Sequence, residues 1–165
     1  MALARLSRHL VTTHWQLRRA FSPGVLAAIQ AAIHESECQQ SGQLRFAVEN
    51  ALHGRRLLHS QTPRQRALEL FASLHMWDTE QRNGVLIYLL LADRAVEIVV
   101  DRGAHRQVPA QIWHRICRQM ESQFRAGRFQ EGVVDGINAV TEAMRGPFPG
   151  TGKPSGELPD APVVV

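Results

Sequence analysis

No acidic residue occurs before Glu35, and no apolar run of 18 residues occurs anywhere in this chain of 165 residues. The second absence excludes a transmembrane helix, which needs about 20 consecutive apolar residues. The first absence localises the charge imbalance. Arg5, Arg8, Arg18 and Arg19 supply the whole formal net charge of +4, and from Glu35 onward 15 acidic residues face an equal number of basic ones. The body of the chain is therefore near neutral, which argues against a broad phosphate-binding face and against nucleic acid as a partner. Lysine is almost missing, Lys153 being the single one; arginine replaces it over the whole chain, a compositional bias of the source genome. Only Cys38 and Cys117 are present, without a C-x-x-C pair, so free thiols in a reducing compartment are expected. A secretory h-region is lacking too, because Arg5, Arg8 and His9 interrupt each early apolar stretch, and a cytoplasmic location is the expectation. Chemical motifs are absent as well: no H-E-x-x-H, G-x-S-x-G, G-x-x-x-x-G-K-[ST] or G-x-G-x-x-G occurs. Zincin, hydrolase-elbow, P-loop and dinucleotide chemistries thus have no local support.

What is present is organised around residues 82 to 103. Val85 to Leu91 is an unbroken apolar run between Asn83-Gly84 and Ala92-Asp93-Arg94, the pattern of a strand buried on both faces. Ala95 to Val100 is apolar except for Glu97, and the tight connection makes the pair an antiparallel hairpin. Earlier, Leu44, Phe46 and Val48 alternate with Arg45 and Glu49, which predicts a strand with one face more exposed. Thr62-Pro63 begins a helix between these strands, with Ala67, Leu68, Phe71 and Leu74 on its buried side. Strand, helix and strand form a βαβ unit with parallel strands.

Ser22-Pro23 is the N-cap and first turn of a helix running to Gln40, where it covers one sheet face. Pro109 opens a helix with the stripe Ile112, Trp113, Ile116, Met120 and Phe124, and a last helix follows Gly127 with Gly132 and Gly136 one turn apart. The expected fold is a three-layer α/β/α sandwich, with a small mixed sheet (βαβ unit plus antiparallel hairpin) and two C-terminal helices. Residues 1–21 read as a basic amphipathic N-terminal helix, residues 22–145 as the α/β domain, and residues 146–165 as a disordered Pro/Gly-rich tail. Leu3, Leu6, Leu10 and Leu17 share one face of the N-terminal segment. That segment fits a helix packed on the domain, a peripheral membrane contact through residues 3–19, or a transit peptide.

Polar residues gather at the two ends of the central hairpin. Antiparallel pairing separates Asp93 from Asp101 by roughly 20 Å, so they cannot share an ion. Asp101-Arg102-Gly103 returns beside Asp78, Glu80, Arg82 and Asn83. Asp93 falls near Asn50, at the end where an open α/β sheet most often carries its ligand. Each residue also has an ordinary structural account. Asp93 suits a turn, Asn83-Gly84 opens a strand, Arg82 and Asp101 suit an ion pair, and Trp77 suits the core.

In order, Leu74-His75-Met76-Trp77, Arg82-Asn83-Gly84-Val85-Leu86-Ile87, Ala92-Asp93-Arg94 and Phe124-Arg125-Ala126-Gly127-Arg128-Phe129-Gln130-Glu131-Gly132 resemble the TPM-domain family over about residues 22 to 145. The resemblance implies the same three-layer sandwich. Some family members have been proposed as acid phosphatases or as binders of calcium-like divalent ions, and others act as membrane accessory proteins. What it implies here is a binding or accessory module, with Ca2+ or another divalent cation as the expected cofactor. The expected partner is a protein, including a membrane protein at the inner face of the membrane. The alternative is a metal-dependent phosphatase, with Asp78 and Asp101 as metal ligands and Arg82, Asn83 and Arg102 as catalytic candidates; Asn50 and Asp93 form the second candidate end. Where many members carry Gly-x-Gly after the second hairpin strand, this chain has Asp101-Arg102-Gly103.

Overall fold

A computed structural model describes residues 7, 9, 14–53, 57, 60–154 and 156–165. After a short helix α1 (His14–Ala20), the Ser22 side chain accepts the Val25 N–H and Pro23 fixes the first turn of α2 (Pro23–Gln39). Strand β1 (Leu44–Glu49) follows. Thr62 and Gln65 then form a reciprocal capping box that starts α3 (Pro63–Ser73), satisfying two otherwise orphaned backbone donors. The hairpin strands are β2 (Val85–Leu90) and β3 (Ala95–Val100). A short α4 (Arg102–Gln107), α5 (Ala110–Arg125) and α6 (Phe129–Arg145) complete the helices, and β4 (Val163–Val164) is the last element.

The sheet order is β3-β2-β1-β4. β1 and β2 are parallel with Leu44 opposite Val85, and β2 and β3 are antiparallel with Val85 opposite Val100. Because side chains alternate along a strand, each strand serves two cores. Phe46, Val48, Ile87, Leu89 and Ile98 pack with residues of α1, α2, α5 and α6, whereas Ala47, Leu86, Tyr88, Leu90 and Val99 pack under α3. The result is an α/β/α sandwich.

Three expectations meet a different structure. The segment 146–165 is not a free tail: Val163 and Val164 pair in parallel with Ala47 and Val48, and the Val165 N–H donates to Val48 O at 3.0 Å. Further back, the Gly150 and Gly152 N–H groups each donate at 3.1 Å, to Gln39 O and Cys38 O, and the Leu158 N–H donates to Gln43 Oε1 at 2.9 Å. Its composition cannot build a core of its own, but an open strand edge and a helix end offer backbone partners that require little apolar burial. Glu49 is not on an exposed face but is 6% exposed, for a reason given below. Trp77 is not core; it is 52% exposed, with its ring 5.9 Å from that of His75. Of the N-terminal stripe, Leu17 is buried against the domain, while Leu3, Leu6 and Leu10 lie outside the described residues.

Candidate functional site

At the end where β1 and β2 begin, the chain is tied tightly to itself. The Asp101 N–H donates to Gly84 O at 2.9 Å and the Gly103 N–H to Arg82 O at 2.8 Å, which brings residues 82–84 and 101–103 together. A Cβ at Gly84 would collide with the Met76 carbonyl, and one at Gly103 would meet the carbonyls of Gln81 and Arg82. Only glycine allows such backbone approach. Asp101 is the N-cap of α4: its Oδ1 accepts the Arg102 N–H at 2.7 Å, while its buried Oδ2 has no hydrogen-bond partner. Asn83 is buried, its N–H donating to Thr79 Oγ1 and its Nδ2 to Ser41 O. Asp78, Arg82 and Arg102 face solvent, Arg82 with φ +50°. This end therefore uses Asp101 and Asn83 to fasten backbone, and leaves the two arginines outside.

The opposite end, beyond the carboxyl ends of β1 and β2, is built differently. Buried Asn50 accepts the Ala92 N–H through its carbonyl at 3.0 Å. Asp93 is half-buried and pairs through Oδ1 with His9 Nε2 at 3.1 Å, and the Leu52 N–H donates to His9 Nδ1 at 2.9 Å. Accepting a backbone N–H at Nδ1 requires the tautomer whose proton sits on Nε2, aimed at the carboxylate. Both ring nitrogens are thus engaged, so His9 has no free lone pair to act as a base. It pins the N-terminal segment to the sheet end.

Beside that pin lies a groove of about 730 Å³, lined by Trp15, Arg19, Leu91, Arg94 and Phe129 among others, with no acidic residue among the described residues of its lining. The guanidinium of Arg19 lies 5.4 Å from the Trp15 ring centroid, within cation–π range. Trp15 is 65% exposed. Arg94 holds a left-handed conformation at the tip of the hairpin turn, φ +51°.

Under α3, Glu49 Oε2 accepts from Arg66 Nε and from Tyr88 Oη, each at 2.8 Å, and Arg66 Nη1 reaches Glu69 at 3.1 Å. Burial first, and then the Glu49 carboxylate, pushes the Tyr88 phenol well above its ordinary range. Burial opposes the Arg66 charge, but the Glu49 carboxylate outweighs it and the guanidinium is held charged. Elsewhere burial, with Glu97 adding to it, pushes the Cys117 thiol up to about 12, which removes it as a nucleophile. Among the described residues no three His, Cys, Asp or Glu side chains stand together as metal ligands. Calcium takes six to eight oxygens, so neither sheet end is a closed cage. A cation there would be completed by water or by a partner's oxygens.

The model of the TPM domain matches residues 17–143. The chain belongs to the TPM domain family. The BA42 protein of the psychrophilic bacterium Bizionia argentinensis, known by NMR, is 29% identical with a TM-score of 0.76, over 87% of this chain and 94% of that one. The N-terminal domain of a P. gingivalis protein, also known by NMR, shares the fold at 22% identity and a TM-score of 0.52, over 74% of this chain and 71% of that one. No curated protein matches the chain.

Within this TPM domain, sequence reasoning placed Asn50 and Asp93 at the open end but missed what accompanies them, Arg94 included. Trp15 and Arg19 stand four residues apart, one helical turn, and that spacing was the readable signal. His9 carried none, because a single histidine in an arginine-rich segment has no pattern. Glu49 was hidden by strand alternation, which registers polarity but not a buried partner.

Proposed function

We propose that this TPM domain is a binding module rather than a catalyst, and that it takes an anionic group at the carboxyl ends of β1 and β2. One observation carries the reading: the groove there has Arg19 and Arg94 in its lining, an exposed indole beside them and no carboxylate among the described residues. In a chain whose body is close to neutral, two guanidiniums converging on one concavity favour a phosphate or carboxylate. The anion belongs either to a soluble ligand or to a headgroup at a membrane surface. Trp15 and Arg18 on the outward side of α1 suit the membrane source, since tryptophan and basic residues favour the interface; the surface met would be the inner face of the membrane.

A divalent cation at the other end is the second reading, favoured by the unpartnered buried Oδ2 of Asp101. The phosphatase alternative would add Asp78 to that cation and set Arg82 and Arg102 on phosphoryl oxygens. Against it stand the outward position of both arginines and the use of Asp101 Oδ1 as a helix cap.

The test is the thermal midpoint of the full chain in chelator, then with inorganic phosphate, then with calcium, magnesium or manganese, alongside co-sedimentation with phosphatidylserine and phosphatidylcholine vesicles. A ligand specific to the folded state stabilises it by about 2.7 kcal/mol at a hundredfold excess over Kd. Phosphate is expected to raise the midpoint, or phosphatidylserine vesicles to retain the protein, and the double substitution Arg19→Ala, Arg94→Ala to abolish the effect. Neither effect in the wild type, or an effect that survives the double substitution, overturns the anion reading. A rise with one cation that disappears in Asp101→Asn supports the second reading in its place.

A further inference from the structure

The anion reading leaves open what the acid is attached to, and the groove contains more than charge. Its volume of about 730 Å³ lies in the range of pockets that enclose small molecules, roughly 300–1,000 Å³. Its lining divides into two kinds of surface. On the α1 side, Trp15 and Arg19 stack on one another, and the indole keeps 65% of its surface exposed. An indole backed by a guanidinium is a platform for a flat ring, since ring stacking and cation–π attraction act through the same faces. The rest of the lining includes Arg94, at the tip of the hairpin, and Gly127 with Phe129, where α6 begins.

The 17-residue α6 starts without a side-chain cap, its N-cap position being Arg128. First-turn N–H groups and the helix dipole there favour an anion. Glu131 in the same turn answers part of that dipole from an exposed position, which leaves Arg94 as the main acid contact. Asp93 precedes Arg94 in the turn but is not in the described lining, and its Oδ1 is held by His9 Nε2.

Resting on the anion reading above, the geometry points to a ring-bearing phosphate of the mononucleotide class as the ligand of this groove, its base on the Trp15–Arg19 stack and its phosphate on Arg94 at the start of α6. The base lies against a face that any purine or pyrimidine satisfies, so selectivity among bases is not expected. The phosphate is a monoester that is bound and not cleaved, because both nitrogens of His9 are engaged and the described lining holds no histidine or carboxylate to act as a base.

The experiment is a calorimetric titration of the full chain with AMP, ribose 5-phosphate and inorganic phosphate, repeated on Trp15→Ala and on Arg94→Ala. Trp15 and Arg94 are both exposed, so both variants are expected to fold, with the circular-dichroism melt as the check. AMP is expected to bind about tenfold or more tightly than ribose 5-phosphate, the effect of stacking one base. Trp15→Ala should bring the two affinities together, and Arg94→Ala should weaken both. Equal affinity of AMP and ribose 5-phosphate for the wild type overturns the ring platform while leaving the anion site standing. No binding of any of the three, without retention on anionic vesicles, removes both.

Discussion

Where β1 and β2 begin, charged and amide side chains are absorbed by the backbone: Asp101 caps α4, Asn83 fastens Ser41 and Thr79, and Gly84 and Gly103 allow carbonyls to within van der Waals reach. Where the same strands finish, the carboxylate of Asp93 is absorbed by His9, and the guanidiniums of Arg19 and Arg94 remain directed at a groove. Both ends contain the residue types that chemistry uses. The difference lies in where the remaining guanidiniums stand: Arg82 and Arg102 face open solvent, whereas Arg19 and Arg94 line one groove. A cluster of charged residues in sequence therefore marks a site only if caps, turns and close backbone approaches have not already consumed it.

The contrast is broken most severely from inside. Glu49 ends β1, and its side chain and that of Arg66 are 8% and 9% exposed. Glu49→Ala leaves the Arg66 guanidinium and the Tyr88 hydroxyl buried without their acceptor, a loss of about 3–5 kcal/mol for one partner of a buried pair. Urea unfolding should show it as a lower midpoint at unchanged slope, and a shift below 1 kcal/mol would mean that Glu69 or water takes over. The next effect compares the two ends directly. Gly84→Ala drives a Cβ into the fixed Met76 carbonyl, and about 3 kcal/mol is expected, the upper range for overpacking. Gly127→Ala, in the loop beside the groove, meets nothing within 4 Å and carries only the strain of φ +76°, about 1 kcal/mol. Equal losses would show that the closed end relaxes as readily as the open one.

Much of this was legible in the sequence. The Ser22-Pro23 and Thr62-Pro63 starts, the run from Val85 to Leu90 and the stripe from Trp113 to Phe124 are local signals, and they correspond to α2, α3, β2 and α5. The misses are all long-range. Val163 and Val164 join the sheet because β1 has a free edge, a property of the assembled sheet and not of a Pro/Gly-rich segment. Glu49 looks solvent-facing until Arg66 and Tyr88 close over it. Trp77 looks like core until the turn that carries it points outward. The groove follows the same rule, since its two arginines are 75 positions apart and meet only because α1 packs on the hairpin turn.

The end where β1 and β2 begin is also tested through pH. Glu37 is 2% exposed, its Oε1 accepts the Leu44 N–H at 3.3 Å and its Oε2 has no partner. Burial pushes its pKa from 4.5 to about 7; Asp160 and Glu157 in the C-terminal segment add to the shift, and the Leu44 N–H and His34 oppose it. A carboxyl whose folded pKa is raised binds its proton more tightly in the folded state. Its stabilising contribution is complete below about pH 4.5, declines as pH rises, and is gone above about 7. At 1.36 kcal/mol per pKa unit the ceiling is about 3 kcal/mol, the opposing Leu44 bond being already contained in the shift. Glu37→Gln keeps an oxygen for Leu44 and removes the ionisation. Its stability should therefore lose the downward slope between pH 4.5 and 7 and exceed that of the wild type at pH 8, measured by urea unfolding at each pH. Parallel curves for the two proteins would mean that the carboxyl ionises at no cost, with water reaching Oε2 through the C-terminal segment. The end of the sheet where β1 and β2 begin would then be open to solvent at that point.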